Sequence, residues 1–357
     1  MVADRPRATP TRMAEEIAES PAVVGRVLGE GGPAIAAAAA AYRKARPRWA
    51  TVVARGTSDH AGIYGRFLIE TQLGIPVGLA SPSVTTIYEA PLRWRGGLLL
   101  AISQSGQSPD IVGVTTAARA GGALTIAVTN DLDSPLADAA AHVIPCLAGE
   151  ERAVAATKTY SAELAGLAGL VGALAPRSAL ALALVRLPDE LRGVLDASRA
   201  WVAGDGDELV GQIAASGRAI VASRGFDLAT ALEIALKLKE TSRIFAEGYS
   251  TADLEHGPVA LAGPSIPTLI LRPDGRMGVA IDPAIRRVES AGSRPWLIGG
   301  RETSTVGRVL GLGFDLPEPL SPLAFILPGQ LLAEAVARSA GYDPDAPAGL
   351  TKVTRTN

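Results

Sequence analysis

The chain has 357 residues, of which 48% are hydrophobic and 20% charged, and its formal net charge is −2. This length suits two domains of ordinary size, and the balanced charge excludes the basic stripe typical of nucleic-acid-binding proteins. A single cysteine, Cys146, excludes an internal disulfide framework and is expected to be buried as a small apolar side chain.

The same composition favours a cytoplasmic protein without a metal or a cofactor. The three histidines are far apart in the sequence, so a histidine metal site is not expected. Residues 1–13 contain no apolar signal core, and apolar runs such as 34–41 and 179–185 are too short to cross a bilayer. We therefore expect neither a membrane nor a nucleic acid as a partner.

The predicted elements of the first half begin with two helices, at about residues 11–28 and 32–45. Strands and helices then alternate. The predicted strands are at 51–54, 97–102, 124–129 and 143–145. The predicted helices are one that follows the first strand and ends at about residue 71, and two more at 109–120 and 159–174. Strands that are separated by helices imply a parallel sheet with both faces covered.

The second half repeats this alternation, with strands at 219–222, 268–271 and 295–298 and helices at about 229–244, 283–291 and 322–339. The predicted fold class is therefore α/β, with two doubly wound, flavodoxin-like parallel-sheet domains and flanking helices. The predicted boundaries are a helical segment at 1–34, a first domain at 35–180, a linker at 181–204 that contains a helix, a second domain at 205–341, and a tail at 342–357.

A serine-rich loop follows the apolar run 97–102 and precedes a helix. It contains Ser103, Gln104, Ser105 and Ser108. A strand-to-helix turn offers unpaired backbone N–H groups and the positive end of a helix dipole, which suit a phosphate. Neutral side-chain donors could hold a phosphorylated metabolite there without a metal or an arginine. The alternative is an ordinary turn that is rich in helix-capping residues.

Two more strand ends carry polar turns. Thr57 and Ser58 follow the first strand, and the segment 151–159, with Val154 and Thr157, follows the fourth. Because the carboxyl ends of parallel strands meet at one edge of a sheet, these groups are expected to line the same crevice. Capping is the competing interpretation, and for 151–159 spacing alone favours it.

Candidate acid–base residues lie in the second half. Lys237 and Glu240 are three residues apart and share a face of one helix. That helix is apolar nearly all round, which favours a functional base over a surface ion pair. His256 precedes Gly257 and Pro258, which end a helix; a histidine there could shuttle protons, although a lone histidine is more often structural.

Together these motifs resemble the sugar-isomerase (SIS) domain pair, found in the isomerase half of glucosamine-6-phosphate synthase and its stand-alone relatives. The similarity extends over residues 13–21 and five further blocks: RGTSDHAG (55–62), SQSGQSPD (103–110), ERAVAATKTY (151–160), ALEIALKLKETSRIFAEGYSTADLEHGPVAL (231–261) and AGLTKVT (348–354). Six ordered blocks are far more specific than any single motif.

The resemblance implies roles for individual residues. The sugar phosphate would be bound by Thr57, Ser103, Gln104, Ser105 and Ser108. Glu240 would move a proton between C1 and C2, His256 would open the sugar ring, Lys237 would assist near O1 and O2, and Lys352 would act on the open-chain carbonyl as a Schiff-base or polarising group. In this family a neighbouring subunit supplies the histidine loop, which implies a homodimer with shared active sites.

Two departures from the synthase pattern indicate a stand-alone relative. Ala156 stands where the synthase usually has serine, and Arg55 replaces the cysteine common before Gly-Thr-Ser. Cys146 is the chain's only cysteine, so a glutamine-hydrolysing cysteine domain is not expected here, and ammonia would not come from glutamine within this chain.

The resemblance therefore favours a deaminating isomerase, most like the SIS-type glucosamine-6-phosphate deaminase, that converts glucosamine 6-phosphate to fructose 6-phosphate and ammonia. The alternatives are another SIS isomerase or deaminase, acting on galactosamine 6-phosphate or a fructosamine phosphate, ammonia-dependent glucosamine-6-phosphate synthesis, and a sensor without catalysis. A sensor could dispense with Glu240, His256 and Lys352, whose retention favours an enzyme.

Overall fold

Two parallel sheets of five strands each form the framework of the computed structural model, which describes residues 10–300 and 308–352. The first sheet has the order β2-β1-β3-β4-β5 and the second the order β10-β9-β8-β6-β7. The strands are β1 Trp49–Val53, β2 Val77–Leu79, β3 Gly97–Ile102, β4 Leu124–Thr129, β5 His142–Pro145, β6 Arg218–Ser223, β7 Phe245–Ser250, β8 Thr268–Arg272, β9 Trp296–Gly299 and β10 Arg308–Gly311.

Helices cover both sheets. They are α1 Arg12–Gly29, α2 Gly32–Ala45, α3 Thr57–Leu73, α4 Pro82–Thr86, α5 Pro109–Ala120, α6 Pro135–Ala139, α7 Lys158–Leu174, α8 Ala179–Ala183, α9 Leu187–Ala203, α10 Asp207–Ser216, α11 Leu228–Ser242, α12 Thr251–Glu255, α13 Arg276–Ser290 and α14 Ser321–Ser339. The first nine residues of the predicted helical segment and residues 353–357 of the predicted tail lie outside the described residues.

The strands pair in parallel because helical crossovers separate them. Every residue of β3 is buried, as expected of a central strand with both faces covered. Its last residue, Ile102, lies opposite Val128 of β4, so that the polar turns after these strands emerge side by side. This arrangement confirms the predicted fold class.

The two sheets are joined by helices that pack on each other. Helix α11 of the second half packs against α3 of the first half and against α14. The Tyr64 hydroxyl of α3 donates to the Pro319 carbonyl at 2.7 Å, just before α14. Contacts of this kind bring the carboxyl end of the first sheet next to α11, which carries the predicted acid–base residues.

Helix α14 is mostly apolar. By length and composition alone, residues 318–339 could cross a membrane, but the whole apolar window is buried inside the protein. Burial in the protein core therefore explains why this helix is so apolar. Cys146 is also fully buried, as predicted, and burial raises the pKa of its thiol well above the ordinary value.

The central elements match the predictions more closely than the sheet edges do. Strands β3 and β4 and helix α5 have the predicted bounds. The edge strands β2, β7 and β10 are absent from the predicted elements, because short, partly exposed edge strands lack a continuous apolar run. The predicted linker contains α9, which packs on α14 and α1.

Candidate active site

A cleft of about 510 Å³ opens at the carboxyl end of the first sheet, where α3 and α5 begin and the end of α11 approaches. The predicted residues that line it are Thr57, Ser58, Ser103, Gln104, Ser105, Ser108, Val154, Glu240 and Lys352. Three predicted residues, Lys237, Thr157 and His256, do not line it. Within one chain, the serine loop, the Glu240 carboxylate and Lys352 of the tail therefore lie around the same cleft.

The serine loop presents free hydroxyl hydrogens to this cleft. Ser103 Oγ accepts from the Gly106 N–H at 3.2 Å, and Ser105 Oγ accepts from the Gln107 N–H at 3.3 Å. The Ser108 side chain does not bond to the helix that it precedes. Among the described residues nothing accepts from these three hydroxyls, so all three remain able to donate to an anion.

Gly106 allows the loop to turn back over β4. Its φ of +60° lies in the left-handed region, and a Cβ there would collide with the Ser134 hydroxyl. The Gly106 carbonyl also accepts from the Leu136 N–H at 3.2 Å. A side chain at this position would thus displace the loop that carries the hydroxyls.

The first turn of α3 also faces the cleft. Its first N–H groups lack partners within the helix, a favourable arrangement for an anion. The Thr57 hydroxyl, however, donates to Glu233 Oε1 at 3.0 Å and accepts from Lys237 Nζ at 3.1 Å. What Thr57 offers a ligand is therefore mainly its backbone N–H, whereas its hydroxyl hydrogen is used inside the protein.

Lys237 lies behind the cleft and is fully buried. Its Nζ is 2.5 Å from Glu240 Oε2 and 3.3 Å from Glu233 Oε1. Burial lowers the pKa of the ammonium, but these two carboxylates outweigh burial and raise it above the ordinary value. His60 Nδ1 lies 2.7 Å from Glu233 Oε2 and extends the network to α3. The ammonium thus fixes the Glu240 carboxylate at the cleft wall.

Glu151 connects three of the predicted residues. It is buried and accepts from Gln104 Nε2 at 3.0 Å, from Lys352 Nζ at 3.0 Å and from the Thr157 hydroxyl at 3.0 Å. Burial raises its pKa, but the Lys352 ammonium and the N–H groups of Thr157 and Thr159 outweigh burial, so that its pKa is lowered. Thr157 is therefore placed behind Glu151, with its hydroxyl directed away from the cleft.

The cleft is less neutral than the sequence suggests. Arg55 lines it and is half exposed, and its guanidinium forms an ion pair with the buried Asp110 at 2.9 Å. Asp131 and Glu151 also line the cleft. A positive charge is therefore present at the wall of the cleft, outside the serine loop, and the ion pair with Asp110 balances it.

His256 lies on the surface of the second half. It follows α12, is exposed and precedes Gly257, whose φ is +148°. Val154 does line the cleft, and its N–H donates to the Asp345 carbonyl of the tail at 3.3 Å. Within one chain the structure thus brings together the anion loops, Glu240 and Lys352, but not the histidine.

Three buried carboxylates of this site were not singled out by the sequence analysis: Glu151, Glu163 and Glu233. Glu163 is bonded to the Ser58 hydroxyl, and Glu233 to Thr57, His60 and Lys237. A signal was present in the sequence, since each of the helices α7 and α11 places a carboxylate within an apolar stretch.

The chain is similar to several known proteins. The family model "SIS domain" matches residues 45–171. A glutamine–fructose-6-phosphate aminotransferase of Methanothermobacter thermautotrophicus is 35% identical over 306 residues, which cover 84% of this chain and 50% of the relative. The chain therefore spans about half the length of that curated relative.

Solved structures extend the similarity over nearly the whole chain. A Silicibacter pomeroyi protein assigned as a phosphosugar isomerase is 37% identical, with a TM-score of 0.84, and the alignment covers 94% of this chain and all of that one. The C-terminal domain of the Francisella tularensis glucosamine-fructose-6-phosphate aminotransferase has a TM-score of 0.81 at 24% identity, covers 96% of this chain and 99% of its own, and shows the shared fold.

Proposed function

Because the chain belongs to the SIS family of sugar phosphate isomerases, we propose that it is a deaminating isomerase of an amino-sugar phosphate. It would convert glucosamine 6-phosphate and water to fructose 6-phosphate and ammonia. The observation that carries this proposal is the single cleft that holds free serine hydroxyls together with the Glu240 carboxylate and the Lys352 amine.

The phosphate binds at the serine loop. Ser103, Ser105 and Ser108 donate their free hydroxyl hydrogens, and the amino-terminal turns of α3 and α5 contribute their unpaired N–H groups. This anchoring is remote from the reacting carbons, so its binding energy serves to orient C1 and C2 beside Glu240.

Glu240 transfers the proton. It removes the C2 proton of the open-chain amino aldose, giving an enolamine, and returns the proton to C1, which leaves an imine at C2. Water adds to that imine and ammonia leaves, which yields the ketose. The Lys237 ammonium, 2.5 Å from Glu240 Oε2, holds this carboxylate in position at the cleft wall.

Lys352 acts as a polarising cation. Its Nζ donates to Glu151 Oε2 at 3.0 Å and to the Ala153 carbonyl at 2.8 Å, and it forms an ion pair with the buried Glu151 carboxylate. An ammonium can polarise a carbonyl or imine, whereas a Schiff base needs the neutral amine. Of the two roles implied by the resemblance, polarisation therefore fits these contacts better.

The protein acts as a homodimer with shared active sites. His256 is exposed in one chain and does not line the cleft of that chain, which supports supply of the ring-opening histidine by a second copy. The imidazole then moves the proton between O1 and the ring oxygen. This arrangement explains why the cleft of a single chain contains the base and the cation without the histidine.

The test is ammonia release from glucosamine 6-phosphate by the purified protein, with fructose 6-phosphate measured in parallel. Equal amounts of both products, lost in Glu240→Gln, are expected. The variant keeps the size of the side chain but cannot take the C2 proton. Galactosamine 6-phosphate and a fructosamine phosphate belong in the same panel. Release by the variant equal to that of the wild type contradicts the proposal.

A further inference from the structure

Glu163 is a buried carboxyl directly behind the cleft. It lies on α7 with 1% of its surface exposed, and its Oε1 is 2.7 Å from the Ser58 hydroxyl oxygen. No described residue is a hydrogen-bond partner of its other oxygen, Oε2. Ser58 lines the cleft, so its hydroxyl group lies between the buried Glu163 carboxyl and any ligand bound in the cleft.

The protonation state of Glu163 decides which way the Ser58 hydroxyl points. An ionised carboxylate can only accept, so Ser58 must donate to it and turns a lone pair toward the cleft. A neutral carboxyl has an O–H to donate, and Ser58 Oγ is the only hydrogen-bond partner that the described residues offer it, so donation to Ser58 Oγ frees the Ser58 hydrogen. Only the second arrangement favours an anion, because it turns a donor rather than a lone pair toward the ligand.

Charged groups around Glu163 favour the neutral form. Burial and the Glu233 and Glu151 carboxylates raise the pKa of Glu163 to about 8, against the opposing effects of Ser58 and Lys237. The titratable and charged groups facing it are Glu233 and Lys237 of α11, Cys146 and Glu151 of the segment before α7, Tyr160 of α7, and Tyr64 of α3 behind Tyr160.

The thiol and the two phenols among these neighbours stay neutral near pH 8. The pKa values of Cys146, Tyr64 and Tyr160 are raised well above their ordinary values, chiefly by burial. On the other helices packed against α7, Glu19 of α1 binds Lys158 and Arg43 of α2 binds the Ala173 carbonyl. Glu16 of α1 accepts from the Ala153 N–H, and Glu334 of α14 binds Arg338, so none of these four groups binds Glu163. His60 of α3 lies in the same network through Glu233, so the Glu163→Gln variant decides whether a proton taken up in this range belongs to Glu163.

We propose that Glu163 is a positioning residue of the anion site: in its neutral form it directs the Ser58 hydrogen into the cleft, so the phosphorylated substrate binds together with a proton. The inference rests on the proposed function, because it requires a sugar phosphate beside Ser58. Glu163 does not touch that ligand and acts through Ser58 alone. Binding thus weakens when Glu163 loses its proton.

The test is calorimetric titration of the full-length protein with fructose 6-phosphate, which has no amino group, in buffers of different ionisation enthalpy. Above pH 7 the phosphate is already a dianion, since its second pKa is about 6. We expect proton uptake on binding near pH 8 and an affinity that falls about tenfold between pH 7 and pH 9.5. A flat affinity without proton uptake overturns the inference.

Variants test whether Glu163 is the group that takes up the proton and makes the affinity depend on pH. Glu163→Gln keeps a neutral donor beside Ser58, so it should bind at pH 7 like the wild type, with neither proton uptake nor weakening at high pH. Ser58→Ala removes the link and should also abolish proton uptake, which keeps the test decisive if Glu163→Gln does not fold. Glu30→Gln, an exposed carboxylate outside the cleft, is the matched control.

The outcomes also distinguish the two proposals. Binding that remains pH-dependent in Glu163→Gln overturns the role of Glu163 and leaves the proposed function standing. Failure of the wild type to bind fructose 6-phosphate at any pH contradicts the proposed function and removes the basis of this inference with it.

Discussion

The ammonium nitrogen of Lys237 lies 2.5 Å from Oε2 of Glu240, one helical turn further along α11. Lys237 is fully buried, whereas a quarter of the Glu240 side chain is exposed at the cleft. A buried cation, itself bound to Glu233, thus fixes the position of a carboxylate that a ligand can reach.

Replacing Lys237 by methionine should destabilise the protein strongly. The change leaves the buried Glu233 carboxylate without its ammonium, and removing one partner of a buried ion pair costs about 3–5 kcal/mol. Urea unfolding followed by circular dichroism measures the loss. Lys239→Met, on the exposed face of the same helix, is the control and should change stability by less than about 0.5 kcal/mol. Equal effects of the two variants would refute a structural role for the buried ammonium.

Glu151 predicts a specific dependence of stability on pH. Its folded-state pKa is lowered below the ordinary value of 4.5, so the unfolded chain binds the proton more readily. The stabilisation is therefore fully present above that ordinary value and is lost as the pH falls toward the folded-state pKa. Glu151→Gln, which cannot ionise, should differ from the wild type in unfolding free energy more at pH 7 than at about pH 3.5. A difference independent of pH would contradict the lowered pKa.

Gly106→Ala should weaken binding at the serine loop. The new Cβ meets the Ser134 hydroxyl, in addition to the cost of a positive φ. Gly122→Ala is a matched control because Gly122 also has a positive φ, of +86°, but a Cβ added there would have nothing within 4 Å. The control should lose only about 1–2 kcal/mol of stability, which is the cost of placing a residue with a Cβ at a positive φ. A larger loss of fructose 6-phosphate affinity in Gly106→Ala is the expected result of the titration.

Shared active sites predict complementation between inactive variants. Glu240→Gln and His256→Ala should each be inactive alone, but mixed dimers contain one cleft with both residues intact. Random reassortment of subunits should restore about a quarter of the wild-type activity, since half the dimers are mixed and each has one complete site. Activity is measured after unfolding and refolding the two variants together. No recovery would place the histidine within its own chain's site or outside the reaction.

The framework of the molecule could be predicted because it depends on local patterns. The run 97–102 is apolar throughout and could only be a buried strand, and the helix that begins at Pro109 follows at once. Turns at the ends of parallel strands must lie at one edge of the sheet, so Ser103 and Ser58 were expected in one crevice. Both line the cleft.

The sequence by itself determined where strands end and polar turns begin, because apolar periodicity and the order of elements are read along the chain. Only the tertiary structure decided which charges are buried together. Glu151, Glu163 and Glu233 come from separate segments, and the direction in which each points depends on the packing of α7 and α11 between the two halves. Packing turned the Thr157 hydroxyl away from the cleft and buried Glu163 near the Glu233 and Glu151 carboxylates, since burial and pairing depend on neighbours distant in sequence.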